Sequence, residues 1–153
     1  MRVLITTDAF PPNCGGSGWS TYELVRGLID KGHEVFVIQP SFDGRGRSVR
    51  KFDGISVAEY RTRVPRIPYL RNYFKNERFY RHFADYLEGW LSGTPVDVVH
   101  AQHLLTGPPS ITAARARDFL LFARCVIIGR FVIGRIYSTM NSPSECVRSV
   151  LRR

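Results

Sequence analysis

Val3-Leu4-Ile5-Thr6-Thr7 is a short aliphatic and β-branched run, the pattern of a strand buried on both faces in a parallel sheet. Tyr22, Leu24, Val25, Leu28 and Ile29 then recur at helical spacing, with Ser20 or Thr21 able to cap the first turn and Gly32 placed to stop the last. From His33 to Ile38 an apolar run resumes. Two parallel strands need a crossover, and the helix supplies it in the right-handed sense that such units take. The intervening loop, Asp8 to Ser20, therefore opens at a strand's carboxyl end and ahead of a helix N-terminus. Open α/β sheets bind ligands there, and the helix end favours phosphate or another anion. Gly15, Gly16 and Gly18 in this loop allow a ligand closer to the backbone than a Cβ permits.

Farther on, Ser41 to Val49 is polar, holds Gly44 and Gly46, and reads as a loop. Phe52 to Tyr60 reads as a hairpin turn followed by an alternating strand, an excursion off the sheet. Arg61 to Arg81 interleaves basic and aromatic residues, and Pro65 and Pro68 make its first part irregular. From about Tyr73 to Leu91, Tyr80, Phe83, Ala84, Leu87, Trp90 and Leu91 line one helical face, most simply a core face. Thr94-Pro95 breaks the chain, Val96 to His103 reads as a strand ending in two histidines, and Gly107-Pro108-Pro109 leads into a helix through Arg117. The fold class expected is α/β, a Rossmann-like parallel sheet flanked by helices. With 153 residues, 44% hydrophobic and 23% charged, one domain with a real core fits and two do not.

The strand to Thr7, then Asp8-Ala9-Phe10-Pro11-Pro12, then Gly15-Gly16 opening a helix that ends in Lys31-Gly32-His33-Glu34-Val35, resembles the N-terminal domain of family 4 glycosyltransferases of the GT-B fold. Asp97-Val98-Val99-His100 resembles a later strand of the same family. The resemblance implies a partial GT-B acceptor-side domain over residues 1–117, facing a nucleotide-sugar-binding domain across a cleft. It assigns Gly15 and Gly16 to the donor's phosphates or the reacting sugar. It points to His103 as the catalytic-site histidine, although the family's H-x-H pattern sets its second histidine where Gln102 stands. No cofactor and no metal are expected, the nucleotide-sugar being a substrate. A dinucleotide site ranks lower: Gly16-Ser17-Gly18 echoes G-x-G-x-x-G without its third glycine, and Gln39 replaces the acidic ribose ligand.

A formal charge of +9 ordinarily suggests nucleic acid or anionic membrane, but five of those charges lie in residues 117–153. No nucleic-acid partner is expected. An anionic membrane surface stays open as a partner of the Arg61 to Arg81 segment. Cys14, Cys125 and Cys146 form no C-x-x-C pair and no secretory signal precedes the first strand, so a reduced, cytoplasmic setting is expected, with peripheral attachment to the inner membrane face as the further option. Cys14 reads as a small loop filler before a reactive thiol.

Residues 119–137 are apolar yet carry Arg124, Arg130 and Arg135 at intervals that suit neither a strand nor a membrane span, each costing about 2.5–3.5 kcal/mol at bilayer depth. Taking the last base of each codon with the first two of the next, from Phe119 onward, the genetic code admits PVVCTVRDYWPVCYWSDL. Ile128 followed by Gly129 allows only tryptophan or arginine, and Phe131 followed by Val132 only cysteine or arginine. That string resembles the family's next strand and loop. The expectation is a frameshift near Asp118, an out-of-frame tail over 118–153, and a product that is an inactive fragment of a retaining glycosyltransferase. The alternatives are a stand-alone anion- or nucleotide-binding α/β module and a basic membrane-associated protein.

Overall fold

The computed structural model describes residues 1–65, 67, 70, 73–74 and 78–116 in full, and residues 120–127 and 130–136 as backbone. Arg66, Pro68, Tyr69, Arg71 and Lys75 of the basic aromatic segment, and Asp118 and Cys146 of the tail, lie outside the described residues.

Seven strands form one sheet in the order β3-β4-β2-β1-β5-β6-β7. β1 (Arg2–Thr6) pairs in parallel with β2 (Glu34–Ser41) on one side and with β5 (Val98–Ala101) on the other. Beyond β2, β4 (Ile55–Arg61) also runs parallel, and β3 (Gly46–Phe52) closes that edge antiparallel. Beyond β5 come β6 (Leu120–Ile127), parallel, and β7 (Arg130–Ile136), antiparallel.

Alternation along the central strands divides the core between two faces. Val3 and Ile5 of β1, with Val37 and Val57, face α1 (Gly16–Asp30) and meet Tyr22 and Val25. Leu4, Ile38 and Val99 face the opposite side and meet Phe83 and Leu87 of α2 (Phe79–Gly93) and Ala113 and Ala114 of α3 (Gly107–Arg115). α2 brings an aromatic stack with it: Phe79 and Phe83 lie 5.0 Å apart between centroids, and Tyr86 stacks on Tyr60 of β4 at 4.8 Å. The α/β, Rossmann-like class is thus the observed one. Among the described residues, no helix is long and apolar enough to cross a membrane.

Several boundaries and one topology differ from the sequence-based expectation. α1 begins at Gly16 rather than near Ser20, so Thr21 is not a cap; its hydroxyl donates instead to the Ser17 carbonyl at 3.0 Å, one turn back. The polar stretch 41–49 is not wholly a loop, because β2 runs on to Ser41 and β3 begins at Gly46. The hairpin is present, turning at Asp53 (φ 48°) and Gly54 (φ 78°), the two left-handed positions of a tight hairpin turn. It belongs to the sheet rather than departing from it, since β4 finds the free edge of β2. Residues 120–127 and 130–136 are strands despite their arginine spacing. A parallel sheet ending at β5 presents an unpaired edge, and a β-branched, aliphatic segment following it can satisfy that edge.

Candidate functional site

Strand order fixes where a ligand can sit. The chain leaves β1 toward β2 on one side and later returns to place β5 on the other, so the crossovers diverge at the carboxyl ends of β1 and β5. Such a switch point opens a crevice that neighbouring loops cannot cover. Thr7 and Asp8 stand at the end of β1, Gln102 and His103 at the end of β5, and the N-terminus of α1 closes the near side.

The loop from Asp8 to Gly15 is anchored by a buried side chain. Phe10 is 2% exposed and packs edge-on against Tyr22 of α1 and Phe52 of β3. The peptide between Pro11 and Pro12 is cis. Gly15 then caps α1 in an extended conformation and accepts from the Gly18 N–H at 3.0 Å. The three loop glycines serve different ends. A Cβ on Gly18 would stand 2.4 Å from the Cys14 sulfur and 3.3 Å from the Ala9 carbonyl carbon, so this position is filled by packing. Cys14 is accordingly a loop filler against α1. A Cβ on Gly15 or Gly16 would meet nothing within 4 Å. Both are exposed, and the N–H groups of the first turn point outward past them, as at any helix start.

His103 links the two strand ends. Its Nδ1 lies 2.9 Å from the Thr7 hydroxyl and accepts from the Asp8 backbone N–H at 3.2 Å. A backbone N–H can only donate, so Nδ1 is the acceptor and the neutral ring carries its proton on Nε2. The histidine's own carbonyl accepts from the Gly107 N–H at 2.9 Å and the Thr106 hydroxyl at 3.3 Å, which holds the turn leading into α3. Thr7 also approaches the Thr21 hydroxyl at 3.4 Å, connecting His103 to the first turns of α1. Gln102, its neighbour in the family's pattern, is 4% exposed, and its backbone N–H donates to Thr6. His103 is half-buried.

Asp8, in the sequence a motif residue without an assigned site role, faces His103. Its Oδ2 accepts from the Leu105 N–H at 3.3 Å, while Oδ1 is buried without a hydrogen-bond partner among the described residues. Burial raises the Asp8 pKa, and the charge of His103 and the hydrogen bonds of Leu105 and Thr106 only partly oppose it. Burial likewise lowers the His103 pKa against the pull of Asp8. Both groups are driven toward their neutral forms.

A second set of residues holds the loop from the far edge of the sheet. Arg50 on β3 donates from Nη1 to the Pro11 carbonyl at 2.5 Å and from Nη2 to the Phe10 carbonyl at 3.1 Å. The same guanidinium reaches the Gln39 side-chain oxygen at 2.7 Å and Oε1 of Glu59 at 2.9 Å. Gln39 in turn donates to the Asp8 carbonyl at 3.3 Å. Glu59 also binds Arg61 and Ser48, each at 2.8 Å. Burial alone would raise the Glu59 pKa, but the bonds from Arg61 and Ser48 and the charges of Arg61 and Arg50 outweigh it and hold the carboxylate below its usual range. Gln39, standing where a dinucleotide site would carry an acidic residue, braces the loop. In the sequence Arg50 lies just past the polar stretch 41–49 and carries no local signal.

The sequence matches the model of the family described as Glycosyltransferase Family 4 over residues 14–127. No curated protein matches the chain. Among solved structures, 16 chains match. One is described as "Trehalose-6-phosphate from E. coli bound with UDP-2-fluoro glucose", at 10% identity and a TM-score of 0.49. The alignment covers 79% of this chain and 32% of that one, so the chain spans about a third of its length. Since the family match takes in well over half of its residues, and carries the Gly15-Gly16 helix start and the His103 strand end within it, the chain belongs to Glycosyltransferase Family 4.

Proposed function

We propose that the chain is the acceptor-side part of an enzyme that transfers a sugar from a nucleotide-sugar donor to an acceptor, with retention and without a required metal. Family membership supports transfer chemistry. The observation that carries the site is the uncrowded backbone at Gly15 and Gly16, two exposed glycines at a helix N-terminus beside the switch point, where a Cβ would meet no atom of the chain. In this reading the leading N–H groups of α1 receive the donor's phosphates or the reacting sugar. His103, with Nδ1 held by Asp8 and Thr7, keeps its Nε2 proton for a substrate oxygen. Asp8 and Thr7 orient the ring, and Arg50 fixes the loop that carries them.

These 153 residues contain no E-x7-E acidic element and no second nucleotide-binding domain, so on their own they are proposed not to transfer sugar. The shifted codon reading from Phe119 supports a change of frame near Asp118, the tail from there being out of frame. The encoding DNA tests both statements. Read onward in the shifted frame, it should specify a second Rossmann-like domain; an early stop codon would remove the enzyme reading. In the frame-restored enzyme, Gly16→Val should lower turnover and donor affinity by roughly tenfold or more, whereas unchanged constants would take Gly16 out of the site.

A further inference from the structure

The ring nitrogen Nδ1 of His103 sits among groups that suit it in two different states. With a lone pair it accepts from the Asp8 backbone N–H at 3.2 Å. With a proton it would oppose that N–H, donor against donor. Two acceptors stand ready for such a proton. The Thr7 hydroxyl, 2.9 Å from Nδ1, can accept from the ring while it donates its own hydrogen to the Ala9 carbonyl at 2.8 Å. The other is Asp8 Oδ1, buried and without a hydrogen-bond partner among the described residues, although Oδ2 of the same carboxyl is held by the Leu105 N–H at 3.3 Å. A buried oxygen left without a donor is unfavourable, and a protonated ring beside it supplies one. Around the ring, α1 presents the Thr21 hydroxyl behind Thr7, and the turn into α3 presents the Thr106 hydroxyl. Among the charged groups described, Asp8 is the one that acts on the ring's proton; Arg50 is spent on Glu59 and on the Phe10 and Pro11 carbonyls.

We propose that His103 is a two-position proton switch in the crevice: neutral, it receives the Asp8 N–H on Nδ1; protonated, it releases that N–H and donates from Nδ1 to the Asp8 carboxyl and to Thr7. The proton comes from solvent, and the ring's charge in turn favours the ionised carboxylate. Burial resists the charge, so the second position is entered on the acid side of the ordinary value of about 6.5. Exchanging one Nδ1 partner for another turns the ring, and Nε2 turns with it. The first peptide of the Asp8 to Pro12 loop loses its anchor at the same moment. The switch gives acid a way to misplace Nε2 without unfolding the domain. Only its use rests on the transferase reading. It is observed without substrate, so its failure leaves that reading standing, and an absence of transfer leaves the switch standing.

The full chain, labelled with 15N, is titrated with acid while the imidazole nitrogens and the Asp8 amide are followed by NMR, His103→Gln serving to assign the ring signals. At high pH, Nδ1 should resonate as an unprotonated nitrogen and Nε2 as a protonated one. On acidification Nδ1 should gain its proton, and the Asp8 amide should shift and exchange faster at the same midpoint, with the amides of Phe83 and Leu87 in α2 unmoved. Asp8→Asn, which keeps the backbone N–H, should lower the ring's proton affinity by roughly tenfold. That loss alone would also follow from charge. Thr7→Val changes no charge and should lower the affinity by roughly threefold, and Thr7→Ser should restore it. A neutral ring protonated on Nδ1 overturns the switch. So does an Asp8 amide that ignores the ring's midpoint, or a Thr7→Val midpoint equal to that of Thr7→Ser. The titration of the unsubstituted chain decides the matter even if a variant fails to fold.

Discussion

At Asp8 and His103, burial acts on two groups of opposite charge and overrides their attraction for each other. The folded His103 binds its proton more weakly than the unfolded one. Its contribution to stability is therefore intact above the unfolded pKa of about 6.5 and falls away as the pH drops through that value. Asp8, with a raised folded pKa, works in the other direction: its contribution is present in acid and is lost as the pH rises through the folded value. As the pH falls through about 6.5 the histidine's share of the melting temperature should decline, and His103→Gln should remove that decline. An equally steep decline in the variant would place the titration elsewhere. Arg50 has a different kind of leverage. Arg50→Met leaves the Phe10 and Pro11 carbonyls without their donor and Glu59 without one cation, a loss of about 2–3 kcal/mol in chemical denaturation. Amide exchange over 9–14 should accelerate with it, and Arg50→Lys should not restore protection, because an ammonium cannot span four acceptors as the planar fork does. Gly15, Gly16 and His103 were legible as site candidates because glycines at a helix start and a histidine at a strand end are local signals. Arg50, Gln39 and Asp8 were not, because their roles exist only once segments 31 to 97 residues apart are side by side.

Among the elements, α2 bears the largest share of one face. Phe83 is fully buried between Phe79, Tyr60 and Tyr86, so Phe83→Ala should cost about 3–5 kcal/mol, measured by urea unfolding with an unchanged slope. Helical periodicity exposed this face plainly, since Phe83, Ala84, Leu87 and Leu91 repeat at three- and four-residue intervals. The central strands were legible from their continuous apolar runs. β3 was not: Gly46 to Phe52 is polar, with Val49 67% exposed, because an antiparallel edge strand has one face in water and needs little apolar signal. The start of α1 was placed too late, since a glycine cap announces itself less than a serine does and the hydroxyls of Ser20 and Thr21 offered a stronger motif.

For the molecule as a whole, the sheet ends in antiparallel pairs on both sides, β3 with β4 and β7 with β6. If residues 118–153 are out of frame, the second of these pairs formed without selection on its register, and domains stable by only about 5–15 kcal/mol feel such a loss. The chain as given should melt at lower temperature and less cooperatively than its frame-restored counterpart, compared by calorimetry. Equal melting would show that the tail serves the fold. The bracing of the Asp8 to Pro12 loop has a further consequence, in the order of synthesis. Its partners arrive late: Arg50 and Glu59 with the edge hairpin, then His103, Leu105 and Thr106 from the far side. A ribosome-bound chain stopped before β5 should still be cut by protease within this loop, and one stopped after α3 should resist. The last of these braces is in place by residue 106. A ribosome that has passed this point has already made every residue needed to close the loop.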